Sequence, residues 1–365
     1  MRILVICNSA TGLMDFRGML LRELLKKENK LFAIVPLSRE EKERIAENWL
    51  ESIGCELKKI PIERRGINPI KDFKLMVLFD RHIRKVRPDL VITYTIKPNI
   101  YGGLICSTKK IPYIANVTGL GSAFQRGKAL QTLIILLYKC AMRRAKIICF
   151  ENEENRDKMV AYGIMPKERT HVLAGAGVDL QYFTYVEYPR DNKETRFLFI
   201  GRIMKEKGID ELLSATRRLV ENHYNCSLVL LGEFEEDYEK KIHECEKEGW
   251  LYYYGYQMDI RPFISQCHCF VLPSWHEGMA NTNLECAAMG RPLITSNIHG
   301  CKEAVKDNIS GYLVQKGNEE SLYQAMKQFM HLSYEERKHM GEAGRKHMEK
   351  MFDKRKVVQE TITFI

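Results

Sequence analysis

Short apolar runs alternate with helix-length amphipathic stretches along most of the chain, and they do so in two successive series. In the first, Arg2–Cys7 (RILVIC), Leu31–Pro36, Leu90–Thr93 (LVIT), Ile111–Val117, Ile147–Phe150 (IICF) and His171–Leu173 read as strands. Helical patterns over Arg17–Lys27, Lys71–Arg87 and Lys128–Lys146 lie between them. Strands apolar on both faces and separated by helices imply a parallel sheet covered on both sides. A polar stretch, Glu187–Thr195 (EYPRDNKET), reads as a linker, and the second series follows it. Its strands are Arg196–Ile200, Ser227–Leu231, Leu251–Tyr254, Cys269–Leu272 and Pro292–Thr295, with helices over Asp210–Asn222 and Tyr238–Glu248. The expected fold is therefore α/β, with two Rossmann-like doubly wound domains, residues 1–186 and 187–345. Residues 346–365 form a C-terminal helix that can return to the first domain. A length of 365 residues suits two domains of about 100–200 residues each. Ligands in such sheets sit at the carboxyl ends of the strands, so the interdomain cleft is the expected active site.

Several classes drop out. The longest apolar run, Ala129–Tyr138, is broken by Gln131 and Thr132, short of the about 20 residues a spanning helix needs. The opening MRILVICN gives way to Asn8, Asp15 and Arg17, which suits a buried first strand better than a signal peptide. Eleven scattered cysteines include one close pair, Cys267 and Cys269 around His268, with no second ligand pair nearby. Reduced thiols of a cytoplasmic protein fit them better than zinc.

The net charge of +10 is uneven: residues 1–185 carry 32 Lys/Arg against 19 Asp/Glu, and the rest carry 25 against 28. No helix-turn-helix, zinc-finger or RNA-recognition pattern accompanies the basic half, so nucleic acid is not an expected partner. Solubility, an anionic membrane surface and a diphosphate-bearing substrate stay open as readings of it. In the helix from Lys128 to Lys146, Leu130, Leu133, Ile134, Leu137 and Ala141 share a face, with Lys139, Arg143, Arg144 and Lys146 crowding its end. Lys71–Arg87 adds Phe73, Met76, Val77 and Ile83 among Lys74, Arg81, Arg84 and Lys85. Those two helices are where peripheral docking to anionic lipid is expected.

Familiar phosphate motifs fail. The segment from Gly121 to Lys128 resembles a P-loop, but its glycines are one residue too far apart and Ala129 stands where Ser or Thr belongs. NSATGL after the first strand is not a dinucleotide fingerprint. No Asp-x-Asp occurs, so the usual divalent-metal clamp on a nucleotide diphosphate has no residues to carry it. Two other segments fit better. Gly201-Arg202-Ile-Met-Lys-Glu-Lys207-Gly208 puts two cations on one strand-end loop, which suits a diphosphate. Glu277-Gly-Met-Ala-Asn-Thr-Asn-Leu-Glu285 follows a strand and opens a helix over Ala280–Gly290. Its first N–H groups suit phosphate or sugar oxygens, and its carboxylates suit sugar hydroxyls.

These residues resemble the retaining glycosyltransferases of family 4. The matching features are G-R-x4-K-G at Gly201–Gly208, P-S-x2-E-G at Pro273–Gly278 and E-x7-E at Glu277–Glu285. Gly175-x-Gly-Val-Asp179 and Ser310-Gly-Tyr-Leu-Val314 match as well. TYTIKPNIYGGL (Thr93–Leu104) and NVTGLGSAF (Asn116–Phe124) resemble a bacterial subgroup that elongates sugars on polyprenyl diphosphate for capsule, O-antigen or glycoprotein glycans. The resemblance implies the GT-B fold. It also implies transfer of a hexose or N-acetylhexosamine from a nucleotide sugar, usually UDP-linked, with no cofactor beyond that co-substrate and no metal. By resemblance, Arg202 and Lys207 hold the donor diphosphate, Glu277 faces the donor sugar and Glu285 accepts from the ribose. Gly12, Gly201, Gly278 and the backbone of Met279, Ala280, Asn281 and Thr282 line the donor, and Tyr256 lies near the base. Arg17, Lys97, Asn99 and Thr118 are the acceptor-side candidates. Thr118 falls where many members carry His, and Thr11-Gly12 stands for the usual Gly-Gly. A 2-epimerase-like isomerase and a non-catalytic sugar-nucleotide-binding subunit are the alternatives.

Overall fold

The computed structural model describes residues 1–63, 68–120, 128–190 and 194–365. Arg64, Arg65, Arg126 and the P-loop-like segment 121–127 lie outside the described residues. The chain divides into two compact units, Met1–Ala176 with Arg355–Ile365, and Gly177–Lys354.

The first unit runs β1 (Arg2–Ile6), α1 (Ala10–Lys26), β2 (Lys30–Pro36), α2 (Glu41–Ser52), β3 (Glu56–Ile60), α3 (Pro69–Val86) and β4 (Leu90–Tyr94). A π-helical turn, Pro98–Gly102, then leads into α4 (Gly103–Lys109), β5 (Tyr113–Val117), α5 (Lys128–Met142), β6 (Ile147–Phe150), α6 (Glu153–Ala161) and β7 (Thr170–Val172). The seven strands are parallel in the order β3-β2-β1-β4-β5-β6-β7, with Val5 opposite both Ala33 and Ile92. Alternate residues feed opposite faces of the sheet. Leu4, Ile6 and Val91 pack with Leu75, Phe79 and Ile83 of α3 and Ile134 and Tyr138 of α5. Ile3, Val5 and Ile92 pack on the other face with Leu13 and Leu20 of α1 and with Val357 and Val358 near the C-terminus. Each such buried side chain contributes about 1.5–3 kcal/mol of transfer free energy. Side-chain caps fix helix starts: Asn68 accepts from Ile70 and Lys71 ahead of Pro69 in α3, and Asn152 accepts from Asn155 in α6.

The second unit runs β8 (Thr195–Ile200), α7 (Ile209–Glu221), β9 (Cys226–Leu231), α8 (Glu239–Lys247), β10 (Leu251–Tyr253), α9 (Arg261–Gln266), β11 (Cys269–Leu272) and α10 (Asn281–Ala288). It continues through β12 (Leu293–Ser296), β13 (Gly311–Val314), α11 (Glu319–His331) and α12 (Tyr334–Met351), and α13 (Lys354–Ile362) leaves it for the first unit. Its six parallel strands are ordered β10-β9-β8-β11-β12-β13. In each sheet the strand order reverses beside the first strand of the series, the topological switch point at which doubly wound sheets take their ligands.

Several expectations are corrected. The first helix begins at Ala10, not Arg17, because Ser9 caps it through the Gly12 N–H (3.0 Å). The expected divide at 186/187 falls inside the second unit. Tyr188 is buried there and donates to the His268 carbonyl (2.9 Å), and the buried Arg291 guanidinium holds the carbonyls of Val186 and Glu187. Helix α12 likewise stays with the second unit through Met351, and only Arg355–Ile365 joins the first. On α5, Leu130, Ile134, Leu137 and Ala141 face the core, whereas Leu133 is exposed with Leu136. On α3, Met76 and Ile83 face the core, and the exposed stripe is Ile70, Phe73 and Val77. Among the described residues no helix is long and apolar enough to cross a membrane. All eleven cysteines are free, and Cys140 alone is exposed.

Candidate functional site

Two loops separated by some seventy residues of sequence meet at the carboxyl end of the second sheet. After β8 the chain turns through Gly201 and Arg202 into a short 3₁₀ turn, Lys205–Lys207, and Gly208 starts α7. Gly208 has φ +74°, and a Cβ there would lie 2.2 Å from the Pro273 carbonyl oxygen. Only glycine lets this turn press against the loop after β11. The Trp275 N–H donates to the Glu206 carbonyl (2.8 Å) and ties the loops together.

The side chains follow from that backbone contact. Lys207 Nζ bonds Glu277 Oε1, and Ser274 Oγ donates to the same oxygen at 2.8 Å. Both ionic side chains are largely buried, 16% exposed for Lys207 and 12% for Glu277. The carboxylate is thus anchored by one oxygen, and among the described residues Oε2 has no protein donor, so it can accept from a hydroxyl. Arg202 is 51% exposed, with Nη1 3.1 Å from Glu235 Oε2.

The Glu277–Gly278 loop rests on a residue that sequence reasoning missed. Gly300 has φ +89°, and a Cβ there would come within 2.8 Å of the carbonyl oxygens of both Glu277 and Gly278. Its own carbonyl accepts from the Ala280 N–H (2.7 Å). Glu303 holds the Gly300 N–H and the His299 ring, each at 2.8 Å. The Ala280 amide is therefore committed within the protein. No side chain caps α10, so the end formed by Asn281 and Thr282 is where backbone N–H groups and the helix dipole can meet an anion. Met279 is buried, Glu285 lies half-buried on the second turn of α10, and Tyr256 is exposed just after Gly255.

The remaining candidates lie in the first unit, Lys97, Asn99 and Thr118 after β4 and β5, and Gly12 and Arg17 on α1. Arg17 and Glu151 form a buried pair at 2.7 Å, with the guanidinium 4.8 Å from the Tyr94 ring centroid. Burial raises the Glu151 pKa against the pull of Arg17. Burial opposes the Arg17 charge, but Tyr94 and Glu151 outweigh it and hold the guanidinium pKa above its usual value. Lys97 pairs with Asp72 at 2.8 Å. Asn99 is buried, accepting from Thr93 Oγ1 (2.7 Å) and donating to the Asn116 carbonyl (2.8 Å), which locks β4 to β5. Thr118 follows β5 and is half-buried. Gly12 donates its N–H to Ser9 Oγ, and the Glu43 carboxylate closes the start of α1 by accepting from Ser9 Oγ and the Ala10 N–H, both at 2.7 Å. Ser274, Glu235, Gly300, Glu303 and Glu43 escaped the sequence reading. Ser274 alone had a signal, its place in P-S-x2-E-G, because the others act through contacts distant in sequence.

Residues 185–347 match the family Glycosyl transferases group 1, and residues 24–152 match Glycosyl transferase 4-like. The chain belongs to the group 1, family 4-like glycosyltransferases. This glycosyltransferase is 27% identical over 338 residues to the N,N'-diacetylbacillosaminyl-diphospho-undecaprenol alpha-1,3-N-acetylgalactosaminyltransferase of Campylobacter jejuni, covering 88% of this chain and 87% of that one. It is 27% identical over 286 residues to the UDP-Gal:alpha-D-GlcNAc-diphosphoundecaprenol alpha-1,3-galactosyltransferase of Escherichia coli, covering 73% of each. Among solved structures, Anabaena HepE in complex with UDP and glucose superposes with a TM-score of 0.80 at 17% identity over 100% of both chains. The fold of the glycosyltransferase is GT-B.

Proposed function

We propose that the chain transfers a hexose or N-acetylhexosamine, with retention of configuration, from a UDP-linked sugar to a polyprenyl-diphosphate-linked saccharide during bacterial surface-glycan assembly. The observation that carries this reading is the convergence of Lys207, Ser274 and Glu277 beside Arg202. Cleaving the sugar–phosphate bond puts negative charge on the leaving nucleotide. Arg202 and Lys207 stabilise that charge where it develops, as an oxyanion hole does, with no metal or cofactor taking part. The leaving phosphate takes the acceptor proton on the same face. Glu277 accepts from donor-sugar hydroxyls through its second oxygen, Glu285 from the ribose, and Tyr256 packs beside the base. The end of α10 meets phosphate or sugar. Lys97 and Thr118 are the acceptor-side candidates with polar atoms at strand ends, and Arg17 shapes that side from beneath. The relatives named for diphosphoundecaprenol acceptors support the acceptor class.

The test is a screen of UDP-sugars against a polyprenyl-diphosphate saccharide, with products read by mass spectrometry. A mass gain of one hexose or N-acetylhexosamine, unchanged by EDTA, is expected. Hydrolysis or epimerisation of the donor without transfer would refute the reading.

The acceptor lipid implies work at the cytoplasmic face of the membrane without crossing it. The exposed stripe Ile70, Phe73 and Val77 on α3, with Phe73 62% exposed, lies among Lys71, Lys74 and Arg81. An apolar stripe bordered by cations suits anionic lipid, each cation adding about 1 kcal/mol near the surface. Co-sedimentation with anionic vesicles is expected, lost at high salt and on Phe73→Ser with Lys74→Ser. Equal binding to neutral vesicles would refute it.

A further inference from the structure

Among the described residues, one face of the second sheet is only partly covered by its helices. Helices α7 and α8 cross one face of β8, β9 and β10, whereas the return from β10 to β11 is made by α9. At six residues α9 is only about 9 Å long; it packs chiefly on β8, with Phe263 reaching Tyr254 beyond the edge strand. Among the described residues, the strip between α9 and the edge strand forms a cleft of about 270 Å³, near the lower end of ligand pockets at about 300 Å³. It runs from the amino-terminal halves of β8 and β9, at Arg196 and Ser227, to Tyr254 just past the end of β10, whereas the Lys207–Glu277 loops leave the carboxyl ends of β8 and β11. The strands being parallel, its Arg196 and Ser227 end is the one remote from those loops.

Three features of the cleft define its chemistry. Its wall is aromatic: Tyr252 and Tyr254, two residues apart on the edge strand and its continuation, present 45% and 51% of their surface to solvent. Phe263 supports Tyr254, with ring centroids 5.1 Å apart. Its rim is charge-compensated, Arg196 Nε lying 3.1 Å from Glu194 Oε2. Its floor holds Ser227, 2% exposed, whose buried Oγ has no partner among the described residues. That hydroxyl is shut away from solvent, so the polar groups open to a ligand are the Glu194 carboxylate, the Arg196 guanidinium and the exposed Gln266 amide. A phosphate would meet the Glu194 carboxylate, and a simple hydrocarbon would strand the rim. A ring with one C–H face and several hydroxyls satisfies the wall and the rim together.

We infer that this cleft is a second binding site, for a neutral saccharide, separate from the donor site. It rests on the transferase reading only in that the chain's substrate and product are themselves glycans. One sugar ring stacks on Tyr252 and Tyr254, with hydroxyls shared between Glu194, Arg196 and Gln266. Such a site holds the chain near the glycan it lengthens without touching the reacting atoms.

The experiment is saturation-transfer NMR on the full chain with two neutral probes, chitotriose and maltotriose, in the absence of any donor. Binding of at least one probe is expected. It should persist in Arg202→Ala and under excess UDP, and weaken roughly tenfold or more in Tyr252→Ala/Tyr254→Ala, while Tyr252→Phe retains it. Both tyrosines are half-exposed, so the double variant should stay folded, losing little more than the Tyr254–Phe263 contact. Transfer to a short acceptor should be unchanged in it. Binding of neither probe, displacement by UDP, or equal binding by the double variant would overturn the inference. So would a wild-type dimer that the double variant dissolves, because the tyrosines would then be a self-association surface. A failed transfer assay with retained probe binding would count against the proposed reaction and leave this site standing.

Discussion

Lys207→Met separates two effects that the pairing with Glu277 combines. The substitution keeps most of the side-chain volume and removes the charge. It leaves Glu277, only 12% exposed, with Ser274 as its one remaining partner among those described. Removing one member of a buried ion pair costs about 3–5 kcal/mol. Because Ser274 still donates, the lower end, about 3 kcal/mol, is expected. For a unit of this size that is roughly a 6–12 °C fall in melting temperature. Arg202→Ala removes a half-exposed cation from a surface pair with Glu235, which is worth about 0–1 kcal/mol, so its melting temperature should barely move. Both variants should nevertheless lose about two to three orders of magnitude in kcat, the scale of removing one stabiliser of developing charge. The decisive protein is Lys207→Met/Glu277→Gln. Neutralising the stranded carboxylate should recover most of the lost stability and none of the activity. Differential scanning calorimetry and initial rates of sugar transfer give the two readouts. Near-wild-type kcat in Lys207→Met, or a double variant no more stable than the single one, would refute the assignment.

Three further substitutions probe contacts elsewhere in the two units. Arg17→Met should cost about 3–5 kcal/mol at pH 8 by stranding Glu151. The folded-state pKa of Glu151 is already raised by burial, so the deficit should shrink as pH falls and the carboxyl takes a proton; parallel melting curves from pH 8 to 5 would contradict this. Gly208→Ala should cost at least about 1–3 kcal/mol for its left-handed φ alone and lower UDP affinity in calorimetric titration, because a Cβ 2.2 Å from the Pro273 carbonyl forces the two donor loops apart. His268 is buried with Nδ1 accepting the Arg196 N–H at 3.0 Å, and burial, aided by the charge of Arg337, pushes its pKa down to about 4. The unfolded chain takes that proton near pH 6.5 and the fold does not, so stability should fall between pH 6.5 and 4 by up to about 1.4 kcal/mol per pH unit. His268→Asn should flatten that slope in thermal melts.

The strands were legible because their signal is local. RILVI, LVIT, IICF, RFLFI and CFVL are apolar on both faces, and a strand so built has to be covered twice. β3 (ELKKI) was not legible, because an edge strand with a half-solvated face carries charges where a central one carries valine. The start of α1 was misplaced for a related reason. Thr11 and Gly12 read as loop, and what makes them helical is Ser9 together with Glu43, thirty-odd residues away. The boundary at 186/187 was drawn on polarity, which Arg291 overrides by bonding the carbonyls of that stretch. Backbone carbonyls are the same in every residue, so such a tie leaves no mark on the sequence it holds.

The loops around Lys207 and Glu277 show the same division more sharply. Arg202, Lys207, Glu277 and Glu285 stand out because their charges and spacing are written in the sequence whatever surrounds them. Gly208 and Gly300 did not announce their roles, although each is held by a carbonyl 2–3 Å from where a Cβ would be. Gly208 lets Lys207 reach Glu277, and Gly300 sets the height of the Glu277–Gly278 backbone through the bond to Ala280. Lys207 and Glu277 could be read separately as two ions. That they form one unit, a lysine and a serine sharing a single carboxylate oxygen, follows only from the approach the glycines permit. Substituting either glycine should therefore damage turnover as severely as removing a charge, with every charged side chain still in place.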